Sequence, residues 1–267
     1  MMDNLLLVIE FFYNSIYYMY LILFLFVILL ICYFIYRFCF PIKEGMRSKP
    51  IKNLNIVLLG DYVLHEPESQ QYPSLKEMFK AKFPLANIKV ITTECKTIEE
   101  YSKDITQLSP AKYNNKNTYF FVSVGSNNIY DNLINCSKVF DVKPKTSDKP
   151  AQKLPCLTSQ DIYKEWKTET DKLIKKFPES NIVIIGSYYP KKQDKLKRCN
   201  ETLESNNELE NDIDTWNTEI SEYCKMHKIN YIPLDKYITK EDLENDGITM
   251  KAKSIKNLAK KLFHEIH

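Results

Sequence analysis

Beyond residue 53 the chain alternates short apolar runs with stretches of helical periodicity, and few folds accommodate that pattern. The apolar runs occupy residues 54–59, 88–92, 118–124, 182–187 and 229–233. They are rich in β-branched and aromatic residues and nearly continuous in hydrophobicity, which suits strands covered on both faces. Between and after them, apolar residues recur at helical spacing: Leu75, Met78, Phe79 and Phe83; Ile98, Tyr101 and Ile105; Ile162, Trp166, Leu173, Ile174 and Phe177; Ile213, Trp216, Ile220, Tyr223 and Cys224; Ile255, Leu258, Ala259, Leu262 and Ile266. Each set makes one helix face that can pack on a sheet. Strand and helix in alternation predict an α/β domain over 54–267: a doubly wound, flavodoxin-like, five-stranded parallel sheet with flanking helices. Ligands of such sheets sit beyond the carboxyl ends of the strands. The turns Gly60-Asp61-Tyr62, Thr93-Glu94-Cys95, Gly125-Ser126-Asn127-Asn128 and Ser187-Tyr188-Tyr189-Pro190 fall there. Residues 137–160 and 190–211 read as two long surface connections.

The amino-terminal part obeys a different rule. Residues 16–36 form an uncharged run of 21 residues dense in Leu, Ile and Phe, long enough as a helix to cross about 30 Å of hydrocarbon. Tyrosines crowd both of its ends, as interfacial belts do. Asp3 and Glu10 precede it without a single Lys or Arg, which does not fit a cleavable signal peptide. The expected organisation is a short segment 1–15, a transmembrane helix 16–36, a basic linker 37–53 and the α/β domain. Arg37, Lys43, Arg47, Lys49 and Lys52 against Glu44 place the domain on the cytoplasmic side of a single-pass membrane protein. The sequons at Asn135 and Asn200 would argue the reverse if glycosylated.

Composition removes several functions. A net charge of +3 is too weak an electrostatic footprint for a nucleic-acid partner. The seven cysteines, at 32, 39, 95, 136, 156, 199 and 224, include no C-x-x-C pair, and no histidine stands at ligand spacing. No metal site is expected, and the thiols read as reduced. Neither glycine-rich nucleotide motif is present, so no cofactor is expected.

Five segments carry a family resemblance. Gly60-Asp61-Tyr62-Val63 looks like a Gly-Asp-Ser-Leu block at the end of the first strand. Val122 to Asn128 resembles the Gly-x-Asn-Asp block after the third strand. Ile184 to Pro190 is similar to a fourth strand leaving through a Tyr-Pro turn. Trp216-Asn217 matches a pair on the penultimate helix. Asp246-Gly-Ile-Thr249 looks like an Asp-Gly-Ile-His block before a closing helix. In this order, they resemble the SGNH/GDSL hydrolases across nearly all of 54–266. The resemblance implies a serine that attacks an acyl carbonyl, a histidine that takes its proton, and an aspartate three residues earlier that orients the imidazole. It also implies an oxyanion hole at the positions of Tyr62, Cys95 and Asn127.

The chain departs from that pattern where the chemistry is done. The serine position holds Tyr62, the histidine position holds Thr249, and the glycine of the oxyanion hole falls near Cys95. Asn127 and Asp246 are retained, and the last Asp of the third block is Asn128. A phenol with an ordinary pKa of about 10 needs a base, and a threonine hydroxyl supplies none. Loss of one triad member costs about 10⁴ in turnover. The expectation is a membrane-anchored pseudoenzyme that binds or scaffolds. Its pocket, lined by Asp61, His65, Gly125, Asn128 and Tyr188, would take an ester, acyl or sugar ligand or a protein partner. The alternatives are an esterase, lipase or acyltransferase using substituted residues such as a Tyr62–His65 or Cys95–His65 pair, and an unrelated flavodoxin-like module.

Overall fold

The structure is a computed structural model that describes residues 19, 23–30, 51–61, 63–64, 73–93, 96–129, 157–191, 196–198, 201–203 and 207–266. Strand β1, Asn55–Gly60, is buried from its second residue on. It runs parallel to β2 (Asn87–Thr92) on one side and β3 (Thr118–Ser123) on the other. Strand β4 (Asn181–Ile185) pairs with β3. After the small strands β5 (Leu196–Arg198) and β6 (Glu201–Leu203), β7 (Asn230–Ile232) pairs with β4. The main sheet has the order β2-β1-β3-β4-β7 and is parallel throughout.

The helices begin where the sequence supplies a cap. Helix α1 (Leu75–Lys82) follows Ser74, α2 (Ile98–Gln107) follows Thr97 and α3 (Ser159–Lys176) follows Thr158; all three have a reciprocal capping box, with Glu77, Glu100 and Asp161. The hydroxyl accepts from an otherwise orphan N–H, and the acid three residues on returns the bond. Helices α4 (Asn207–His227) and α5 (Ala252–His264) follow, and a single short turn of helix at Pro110–Tyr113 leads into β3.

Strand order decides which face each helix covers. The step from β1 to β2 runs one way across the sheet and the steps β2 to β3, β3 to β4 and β4 to β7 run the other, so right-handed crossovers put α1 opposite α2, α3 and α4. Helix α5 joins α1, where Phe263 meets Phe79 and Phe83 edge-on at 4.9 and 5.7 Å. On the other face Trp166 of α3 meets Trp216 and Tyr223 of α4 at 5.8 and 5.2 Å. Period two on β3 feeds both layers: Phe120 packs on Phe177 at 4.8 Å and Phe121 on Phe79 at 5.6 Å.

Two expectations are corrected. Strand β2 is not covered on both faces; Lys89 and Val90 are exposed, because an edge strand has one neighbour and the helices reach only part of it. The connection 190–211 is not one long loop. Strands β5 and β6 form an antiparallel hairpin with Arg198 opposite Glu201, and α4 starts at Asn207. The hairpin strands are too short and polar to register as apolar runs.

The chain divides into two units, Met1–Lys49 and Pro50–His267. In the first, residues 19 and 23–30 are helical and their apolar side chains are exposed; the rest of the expected span 16–36 lies outside the described residues. Among the described residues no helix is long and apolar enough to cross a membrane. Most of the expected connection 137–160 also lies outside them, as do both sequons.

Candidate functional site

The first strand ends on a glycine because nothing larger fits. A Cβ at Gly60 would lie 2.1 Å from the Ser123 carbonyl oxygen. The close approach pins the next residue: the Asp61 N–H donates to that oxygen at 2.7 Å. The Asp61 carboxylate, fully buried, accepts from the Ser123 hydroxyl at 3.0 Å and from the Val63 N–H at 3.2 Å. Gly60 and Asp61 are thereby fixed to the end of β3, at the carboxyl edge of the sheet. Tyr62 itself, together with His65, Glu94 and Cys95, lies outside the described residues.

The exit of β3 is set by Gly125, whose φ of 113° favours glycine and whose missing Cβ would lie 2.1 Å from the Trp216 ring. Past it, Asn127 is buried and its amide donates to the Lys96 carbonyl at 2.9 Å. Asn128 has a different role: its side-chain oxygen accepts from the Ile98 N–H at 3.0 Å and caps α2. Lys96, also buried, turns its ammonium to Asp104 on α2. Lys96 is thus held at both its main chain and its ammonium.

A third set of contacts holds the exit of β4. The Asn217 amide brackets Ser187, accepting from its N–H and donating to its carbonyl, each at 2.9 Å. The Ser187 hydroxyl meets the Ser126 hydroxyl, joining the exits of β4 and β3. Tyr188 is buried, and its hydroxyl donates to the Ile248 carbonyl. The Lys191 N–H donates to the Gly247 carbonyl at 2.7 Å. Sequence reasoning noted Trp216-Asn217 as a pair without assigning the asparagine this clamp. It missed Lys96 and Ser123, and it placed Ser126 and Ser187 in the strand-end turns without their mutual contact; these side chains gain their roles only through neighbours far along the chain.

These ties bring the Asp246 loop to the same edge. Asp246 Oδ1 accepts from the N–H groups of Ile248 and Thr249 at 2.9 and 2.8 Å, and Oδ2 accepts from the Thr249 hydroxyl. Gly247 makes the turn at a φ of 75°. In an Asp-x-x-His arrangement this carboxylate accepts from an imidazole. Thr249, which the resemblance sets at the histidine position, closes back on the carboxylate, so both oxygens are engaged inside their own turn.

Imidazoles occur elsewhere. His227 ends α4 just before β7 begins and stacks on Tyr223 at 4.2 Å. His264 ends α5 beside Glu265, which accepts from Asn230, the first residue of β7, at 2.7 Å. Both stand at the amino end of the sheet, a strand length from the Asp246 loop; His267 lies outside the described residues. The phenols near the β4 exit are held protonated. Burial, then the hydrogen bond to the Asp214 carboxylate, pushes Tyr189 well above its ordinary value, and burial does the same to Tyr231. Among the described residues no group of three or more His, Cys, Asp or Glu is placed to hold a metal ion. An open depression of about 630 Å³ lies at the amino end, lined by Asn53, Asn55, Asn117 and Glu179 among others. Its asparagines are spent on the main chain and on each other, and it is at the wrong end of the sheet for ligands of this architecture.

No family model matches the sequence, and no curated protein matches it. Solved structures do. A member of the lipolytic G-D-S-L family from Veillonella parvula superimposes with a TM-score of 0.57 at 12% identity, covering 79% of this chain and 97% of that one. A lipase from a goat rumen metagenome gives 0.57 at 13%, covering 80% and 97%. Phospholipase A1 from Streptomyces albidoflavus gives 0.53 at 14%, covering 80% and 100%. The chain has the SGNH/GDSL hydrolase fold.

Proposed function

We propose that this protein is a membrane-anchored SGNH-type module that has lost acyl transfer and uses the strand-end site to bind or scaffold. The observation that carries the reading is the closed Asp246–Thr249 turn. A triad needs the carboxylate free to orient an imidazole and the imidazole free to accept a proton. Here the Asp246 carboxylate accepts from a hydroxyl and two main-chain N–H groups of its own turn. The described histidines sit at the opposite end of the sheet, and the nucleophile position is Tyr62. The retained frame, with its Gly-Asp turn, buried Asn127 and clamped β4 exit, still shapes a site at the sheet edge. The ligand class that suits an SGNH frame is an ester, acyl chain or sugar, and residues 16–36 supply the anchor.

The test uses the full chain in detergent. It should neither hydrolyse p-nitrophenyl acetate above the buffer rate nor react with a fluorophosphonate probe. Tyr62→Ser combined with Thr249→His should gain measurable hydrolysis, since it returns a nucleophile and a base to a frame that retains Asp246. Labelling of the unaltered chain that is lost in Tyr62→Phe or Cys95→Ala would instead identify a working hydrolase with substituted residues. Anchoring is checked separately: the chain should stay with neutral lipid vesicles after alkaline carbonate extraction.

A further inference from the structure

The two helical layers carry opposite charge. Helices α1 and α5 hold seven lysines and one acid, Glu77. Helices α2, α3 and α4 hold thirteen acids and seven lysines. The layers lie on opposite faces of the sheet, so the described helices divide their charge across its thickness. Pairing sharpens the contrast. On the acidic side Lys103, Lys164, Lys167 and Lys172 each meet a carboxylate. Among the described residues, none of the α1 or α5 lysines does so. Lys80 reaches only the Ala86 carbonyl and Lys261 only the Tyr237 ring. The single acid of α1, Glu77, is occupied in its capping box.

We propose that the α1/α5 layer is the face by which the domain lies against an anionic lipid surface. Lys76, Lys80 and Lys82 on α1 and Lys253, Lys256 and Lys260 on α5 are exposed and form one broad, shallow cationic face, which matches a plane of lipid phosphates and carboxylates. At its edge, just past α1, Leu85 is 74% exposed, an apolar tip among lysines of the kind that enters the headgroup layer. The Asn87 N–H donates to the Leu54 carbonyl at 2.8 Å, so the α1–β2 turn adjoins the start of β1. The proposal rests on the anchored reading for proximity alone. Tethering holds the face near lipid at high effective concentration, so a weak, salt-sensitive attraction suffices. Docked this way, the sheet lies parallel to the bilayer and its carboxyl edge opens sideways along the lipid surface, where acyl or headgroup ligands are met. A nucleic acid fits less well, because the acidic layer behind the sheet repels a polyanion that wraps.

Lysine footprinting tests this with the native full chain. The chain is reconstituted into phosphatidylcholine vesicles with and without phosphatidylserine, treated briefly with an acylating N-hydroxysuccinimide ester and mapped by mass spectrometry. The expected result is several-fold lower modification of Lys76, Lys253, Lys256 and Lys260 in the anionic vesicles, with Lys164 and Lys175 unchanged and the protection lost at high salt. Equal modification in both vesicle types overturns the proposal. So does protection by a single-stranded RNA oligonucleotide without protection by the vesicles. Co-flotation with neutral vesicles reports the anchor independently. A chain that floats only with anionic vesicles and shows the footprint keeps the docking face and loses the anchor. One that floats with neutral vesicles and shows no footprint keeps the anchor and loses the docking face.

Discussion

At the scale of single residues, the site is a set of side chains spent on holding main chain. Asn217 is the clearest case. Its amide supplies the hydrogen bonds that Ser187 N–H and C=O need in a buried setting. Asn217→Ala should lower unfolding stability by about 2–3 kcal/mol, the cost of leaving those groups without partners, read by urea titration. Gly60, Gly125 and Asp61 likewise serve the turns beside them. Cys224 shows how far burial alone sets reactivity. It is 1% exposed, and desolvation pushes its thiol up to about 12. The thiolate is the reactive form, so Cys224 should resist iodoacetamide in the folded chain even at about pH 8.5, where an ordinary thiol is half ionised. It should be labelled once the chain is denatured, which peptide mapping can follow. The identities at 62 and 249 were readable in the sequence. That Thr249 turns back and occupies the Asp246 carboxylate was not, because a sequence gives the residue type and not its rotamer.

Among the elements, the link from β7 to α5 carries the Asp246 loop and has its own electrostatic support. Asp242 accepts from the Thr239 N–H at 3.0 Å and from the Ser254 hydroxyl at 3.0 Å. The main-chain bond from Thr239 is the largest influence holding this carboxyl below its usual range. A carboxyl whose folded value is depressed adds stability at pH above the ordinary carboxylate value and loses it as pH falls through the folded value. Asp242→Asn should therefore lower the melting temperature at neutral pH. The gap from the unaltered chain should narrow below about pH 4, as the wild-type group protonates too. A gap independent of pH would mean the bond is not charge-assisted. The helices themselves were legible. Ser74, Thr97 and Thr158, each with an acid three residues on, mark starts by local chemistry, and their apolar spacing marks the buried face. The β5–β6 hairpin was not legible, because three polar residues per strand carry no periodicity. The exposure of β2 was missed for another reason: an apolar run does not reveal whether its strand will be central or at an edge.

For the whole molecule, the hydrophobic core among the described residues draws on positions 51 to 266. A chain starting at Pro50 should therefore unfold as one cooperative transition at the same temperature as the full chain in detergent, monitored by tryptophan fluorescence at Trp166 and Trp216. A drop of many degrees would show that the first unit supports the second. The charge division between the two helical layers also belongs to this scale, since it exists only once strand order has sorted α1 and α5 from α2, α3 and α4. The sequence by itself determined the alternating α/β plan, the strand-end turns and the residue types at positions 62 and 249, because periodicity and residue identity are local properties of a chain. Only the tertiary structure decided that the described imidazoles lie at the far end of the sheet, that Asp246 is occupied by its own turn, and that the α1 and α5 lysines share one layer. Those facts depend on which distant segments the winding of the sheet brings together, and no local pattern encodes that.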